Sequence, residues 1–61
     1  MTRTEAQYWA RQFKSKLAYI CKIIPAGQNE YVLDVYITPE QFPTTVESSE
    51  HASELLRALW V

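Results

Sequence analysis

LAYICKIIPAGQNEYVLDVYI, residues 17–37, is the stretch of this 61-residue chain that decides its fold. Both ends of the stretch are rich in β-branched and aromatic residues and predict two strands, 17–24 and 31–37. Between them, PAGQN at 25–29 holds the only glycine of the chain and predicts a hairpin loop of about five residues. We expect Gly27 to supply any positive φ that the turn needs.

The alternation of side chains along a strand divides the predicted hairpin into two faces. If residues 26–30 form the loop, Lys22 lies opposite Asp34 as a pair of opposite charges on one face. The other face is predicted to be the core side, and it carries Leu17, Tyr19, Cys21, Ile23, Tyr31, Leu33, Val35 and Ile37.

An amphipathic helix is predicted on each side of the hairpin, because apolar residues recur there at steps of three and four. The first helix should begin near Thr2, where Thr2 with Glu5, or Thr4 with Gln7, fits a capping box. Its apolar positions are Ala6, Trp9, Ala10, Phe13 and Leu17. The second helix should follow a serine cap, and its apolar positions are Ala52, Leu55, Leu56, Leu59 and Trp60.

The predicted fold class is therefore α+β, in a single small domain spanning 1–61. A small antiparallel sheet carries an N-terminal and a C-terminal helix on one face, because each apolar stripe must be buried against another layer. Residues 44–47, TTVE, fit a short third strand at the sheet edge, so the sheet has two or three strands. Residues 38–41, TPEQ, fit the start of a helix that Pro43 limits to about one turn.

The size of the chain predicts that a partner contributes to its stability, since so short a chain buries only about 60% of its unfolded surface. One cysteine, Cys21, and one histidine, His51, exclude an internal disulfide and a four-ligand zinc site of the Cys/His kind. We therefore predict no metal and no cofactor. The apolar run at 17–24 is far shorter than the roughly 20 residues of a membrane span, so we expect no membrane segment and a cytoplasmic setting.

The face of the hairpin opposite the helices is the predicted binding surface. A solvated sheet face is normally polar, whereas this one sets four large apolar residues around a lysine and an aspartate. We expect it to contact another protein or a second copy of the chain. Its residues are Ile20, Lys22, Ile24, Val32, Asp34 and Tyr36.

The uneven charge of the chain gives the alternative. Residues 1–24 carry five bases and one acid, a net charge of +4, and residues 25–61 carry one base and six acids, a net charge of −5. Basic side chains on a helix can neutralise phosphates, so the first helix could bind nucleic acid. The candidate phosphate contacts are Arg3, Arg11, Lys14 and Lys16. The overall charge of −1 favours instead a solvated helix that attracts the acidic half.

The order helix, three strands, helix resembles that of double-stranded RNA-binding domains over most of the chain. In that family the second helix opens with a lysine-rich run that grips phosphates. The corresponding residues here, SSEHASE at 48–54, are acidic and would repel an RNA backbone. The resemblance therefore implies the fold, while the acidic run departs from the family at its phosphate contact.

Residues 45–51, TVESSEH, are similar to a segment of a small phage inhibitor of bacterial RNA polymerase. Very small proteins of this class work by occluding a larger enzyme, so the similarity implies an inhibitor.

Catalysis is not expected. His51 lies near Glu47, Glu50 and Glu54, but no second catalytic group stands at a motif spacing. The sequence thus predicts a small non-enzymatic module that binds and modulates a larger protein, with nucleic-acid binding as the alternative.

Overall fold

The computed structural model describes residues 1–37 and 42–60, in which two helices and three strands follow one another. The strands form one antiparallel sheet in the order β1-β2-β3, and the helices pack against it. This confirms the predicted α+β class and the third strand. The predicted helical turn at 38–41 lies outside the described residues. The elements are α1 (Arg3–Leu17), β1 (Ile20–Gly27), β2 (Glu30–Tyr36), β3 (Thr44–Val46) and α2 (Ser49–Trp60).

The first helix begins at the predicted capping box and ends in a left-handed residue. The Thr2 hydroxyl accepts from the Glu5 N–H at 3.2 Å, and Glu5 Oε1 accepts from the Thr2 N–H at 2.9 Å. At the other end Ala18 has φ 59° and ψ 27°, and its N–H bonds to the Lys14 carbonyl at 3.0 Å. The predicted strand start at Leu17 is wrong, because Leu17 belongs to the helix and β1 begins only after the left-handed residue has redirected the chain.

The hairpin turn is tighter than predicted. The strand β1 continues to Gly27 and β2 begins at Glu30, so only Gln28 and Asn29 lie between them. Asn29 takes the positive φ, at 59°, and Gly27 has none. The expectation for Gly27 was therefore wrong, since asparagine also tolerates the left-handed region.

A β-bulge explains why the predicted register survives the wrong loop. Pairing shifts between Pro25 and Gly27, so Ala26 is the extra residue on β1. Up to that point the ladder runs as predicted. Its pairs are Ile20 with Tyr36, Lys22 with Asp34 and Ile24 with Val32.

The core lies between the inner face of the sheet and the two helices. Its largest fully buried side chains are Phe13 of α1, Leu33 and Val35 of β2, and Val46 of β3. Burying one such side chain contributes about 1.5–3 kcal/mol. Around them pack half-buried residues that include five from the predicted core face, namely Leu17, Tyr19, Cys21, Ile23 and Ile37. The opposite face of the sheet is left outside this core.

The first turns of the two helices are joined by a carboxylate. Glu5 Oε2 accepts a hydrogen bond from the Ser49 hydroxyl, while Glu5 Oε1 serves the capping box. These bonds, the one from Ser49 first, lower the pKa of Glu5 below its usual 4.5. The Ser48 hydroxyl accepts from the His51 N–H at 3.1 Å, which makes Ser48 the cap of α2. Within residues 1–37 and 42–60, neither helix has the length and apolar character needed to cross a membrane.

Candidate binding surfaces

The outer face of the sheet brings the six predicted contact residues together. The register sets Lys22 beside Asp34 in the middle of the ladder, with one apolar pair on each side. Ile20 is 67% exposed and Ile24 is 38% exposed, so β1 contributes the more accessible half of this surface. The three residues from β2, namely Val32, Asp34 and Tyr36, are half-buried.

The two charges on this outer face are not paired with each other. Among the described residues the one ion pair joins the Met1 amino group to Glu30 at 3.5 Å. Lys22 Nζ lies 5.5 Å from the centroid of the Tyr36 ring, and Asp34 Oδ1 accepts from the Thr45 hydroxyl at 3.1 Å. Each charge is therefore positioned by a neutral neighbour and remains able to meet an opposite charge on a partner.

The four predicted phosphate contacts are all exposed but do not form one patch. A helix turns about 100° per residue, which places Arg3, Arg11 and Lys14 within about 80° of one another and Lys16 about 140° from Arg11. The contacts agree with this, since Lys16 Nζ lies 4.0 Å from the centroid of the Trp60 ring, on the side of α2. Three of the basic side chains thus share one side of α1, and the fourth, Lys16, lies on the side that faces α2.

A groove that the sequence analysis missed lies beside the edge of β1. Its volume is about 440 Å³, and Arg11 and Lys14 are its charged residues. Ala10 and Ala18 leave it open because their side chains are small. Its remaining lining is Tyr19, Ile20 and Cys21. Burial raises the pKa of the Cys21 thiol to about 11, so this group is neutral and unreactive at physiological pH.

A second groove, of about 370 Å³, lies between the helices and is lined by residues of α1 and α2 alone. Tyr8 and Trp60 line it and are 53% and 58% exposed. The helical spacing of Trp60 favoured a core position, which is wrong, and the exposed place that a tryptophan at the end of a helix can also take is the one observed. At the end of α2 the ring lies under Lys16 and outside the core.

Among the described residues, 1–37 and 42–60, no three histidine, cysteine or acidic side chains cluster as metal ligands would. His51 is exposed at the start of α2. Comparison with models of protein families, with curated proteins and with solved structures finds no match for this chain.

Proposed function

We propose that this chain is a small non-enzymatic interaction module that binds and modulates a larger protein through the outer face of its sheet. The observation that carries the proposal is the exposed apolar surface on β1, where Ile20 and Ile24 flank the charge of Lys22. Residues 45–51, which resemble part of a small phage inhibitor, favour modulation by occlusion of an enzyme.

The energetics of the outer face support a protein partner. Full burial of one isoleucine side chain contributes about 1.5–3 kcal/mol, and Ile20 has most of its surface still to bury. Within the described residues Lys22 and Asp34 form no ion pair, and their charges add little affinity but would fix the orientation of a partner that carries the complementary pair.

The test compares two tyrosine variants. Tyr36→Ala removes an aromatic ring from the outer face, and Tyr8→Ala removes one from the groove between the helices. Proteins captured from an extract of the native cell by immobilised chain are quantified by mass spectrometry, and thermal unfolding of each variant is measured in parallel. We expect a folded Tyr36→Ala variant to lose a partner that the wild type and Tyr8→Ala retain. Equal retention by both variants would contradict the proposal.

A second copy of the chain is an alternative occupant of the same face. A two-fold axis that lies between the two faces and runs parallel to the strands would set Lys22 of one copy against Asp34 of the other, so the face is electrostatically self-complementary about this axis. Analytical ultracentrifugation of wild type and of Lys22→Asp distinguishes this arrangement. A dimer formed by the wild type and lost in the variant would make the second copy the partner.

Nucleic-acid binding through α1 is the second candidate function, favoured by the shared side of Arg3, Arg11 and Lys14. It predicts an affinity for random duplex or single strands that falls steeply with salt, because each phosphate contact releases a counterion. A gel shift at low salt without a complex would exclude it. The exposed acids Glu50 and Glu54 at the start of α2 disfavour this function.

A further inference from the structure

We propose that the free edge of β1, together with the groove beside it, binds an extended acidic segment of a partner protein, which joins the sheet as a fourth strand. This surface adjoins the outer face and shares strand β1 with it, but it uses the backbone edge and the groove, so the inference does not depend on the outer face binding a partner.

The first argument is the backbone of β1. Among the described strands it pairs only with β2, so its second side is open along Ile20–Gly27. In an antiparallel ladder alternate residues direct both N–H and C=O away from the partner strand, which leaves a row of unpaired groups on an edge. The opposite edge, β3, has only three residues, Thr44–Val46, and offers a far shorter template.

The usable part of this edge is residues 20–24. Pro25 has no N–H to donate, and the β-bulge between Pro25 and Gly27 bends the strand beyond it. A guest strand would therefore pair with the regular first half of β1, which is also the half that borders the groove at Ile20 and Cys21.

The second argument is the groove. Alternate side chains of an added strand would point toward the helix side of the sheet, where the groove lies between β1 and α1. Its volume of about 440 Å³ falls in the range of about 300–1,000 Å³ typical of ligand sites. Small side chains at Ala10 and Ala18 keep it open, and Tyr19 and Cys21 give it an apolar floor.

The third argument is charge. Arg11 and Lys14 are exposed at the groove, no acid of the described residues lines it, and Arg3 lies on the same side of α1. An incoming segment with acidic residues would complement these bases. A second copy fits poorly, because the only charged residue of its own β1 is Lys22, which would add positive charge to a positive site. The occupant that fits is thus a different protein with alternating apolar and acidic residues.

A nucleic acid would complement the basic side chains at the groove but could not pair with the backbone of β1. Phosphates can pair with Arg11 and Lys14, but a sugar-phosphate backbone cannot reproduce the regular ladder that the amides of residues 20–24 offer. The open edge therefore favours a peptide.

The experiment titrates the ¹⁵N-labelled chain with an N-acetylated, C-amidated hexapeptide that alternates glutamate and valine. We expect the amide signals of residues 20–24 to shift most. The double variant Arg11→Glu, Lys14→Glu should bind roughly tenfold more weakly, since two exposed attractive pairs become repulsive. The matched control Lys16→Glu, on the other side of α1, should bind as the wild type does. Tyr36→Ala should also bind normally, which separates this site from the outer face.

Four results would overturn the inference. The first is the absence of shifts at residues 20–24 with millimolar peptide. The second is equal binding of a peptide in which lysine replaces glutamate, and the third is equal weakening by Lys16→Glu. The fourth is displacement of the peptide by a random single-stranded DNA that moves the same amide signals, which would assign the groove to nucleic acid.

Discussion

Replacing Ala18 by glycine is predicted to stabilise this domain, although an alanine-to-glycine change usually does the opposite. Ala18 lies at φ 59° and ψ 27°, where it ends α1. An L-residue in this left-handed region carries a penalty of about 1–2 kcal/mol, because its Cβ crowds the following carbonyl oxygen. Glycine has no Cβ and therefore no such penalty.

The net gain follows from a subtraction. Glycine makes the unfolded chain more flexible and thereby costs about 0.4–1 kcal/mol of stability. Taken from the relief of strain, this leaves a gain in the free energy of unfolding of about 0–1.6 kcal/mol, with a mid-range value of about 0.8 kcal/mol. The hydrogen bond from the residue 18 N–H to the Lys14 carbonyl is kept, since it involves only the backbone. In a domain of this size, 1 kcal/mol shifts the Tm by roughly 4–8 °C, so a rise of several degrees is expected.

Urea unfolding followed by circular dichroism measures the effect, with Ala10→Gly as the matched control. Ala10 lies inside the same helix, where glycine should cost about 0.5–1 kcal/mol. The two identical substitutions should thus move the unfolding midpoint in opposite directions. If Ala18→Gly lowers the midpoint as Ala10→Gly does, residue 18 is not left-handed and the assigned end of α1 is incorrect.

Three further substitutions test other parts of the fold. Gly27→Ala should raise the free energy of unfolding by about 0.4–1 kcal/mol, because the residue has no positive φ. Its new Cβ would lie 3.6 Å from Glu30 Cβ, which is an ordinary contact. A lower free energy of unfolding in urea would contradict this prediction. Glu5→Gln should destabilise the chain at pH 7. Since the folded-state pKa of Glu5 is lowered, its contribution is full above about pH 4.5 and fades as the pH falls through the folded value, so the two proteins should converge in acid. Leu33→Ala, at a fully buried site, should cost about 2–5 kcal/mol and remove most of the stability seen by thermal circular dichroism.

The register of the hairpin was predictable because a slip by one residue would have moved every apolar side chain to the wrong face. The boundaries of the hairpin strands were not predictable in this way. Leu17 satisfies both the helical spacing and the strand alternation, and the sequence does not mark Ala18 as left-handed, since alanine rarely adopts that conformation. The turn was predicted wrongly because the sequence marks neither the bulge at Ala26 nor the positive φ at Asn29. The glycine between these two residues therefore looked like the turn residue.

The two candidate surfaces likewise differ in whether the sequence could predict them. The outer face followed from alternation and register, which are local properties of the hairpin. The groove beside β1 depends on how α1 lies against the sheet, so it could not be read from a single segment. One signal was available, since Ala10, Lys14 and Ala18 succeed one another at four-residue steps along one side of α1.

The hydrogen bond between Glu5 of α1 and Ser49 of α2 can form only after α2 has been synthesised and has left the ribosome. The first helix and the hairpin are synthesised early, but Leu33 and Val46 share their core with Leu56 of α2. Until α2 has left the exit tunnel, the nascent chain must hold part of this apolar surface in water. Folding is therefore expected to finish only after translation of residue 60, and a product truncated before α2 should be a ready substrate for cellular proteases.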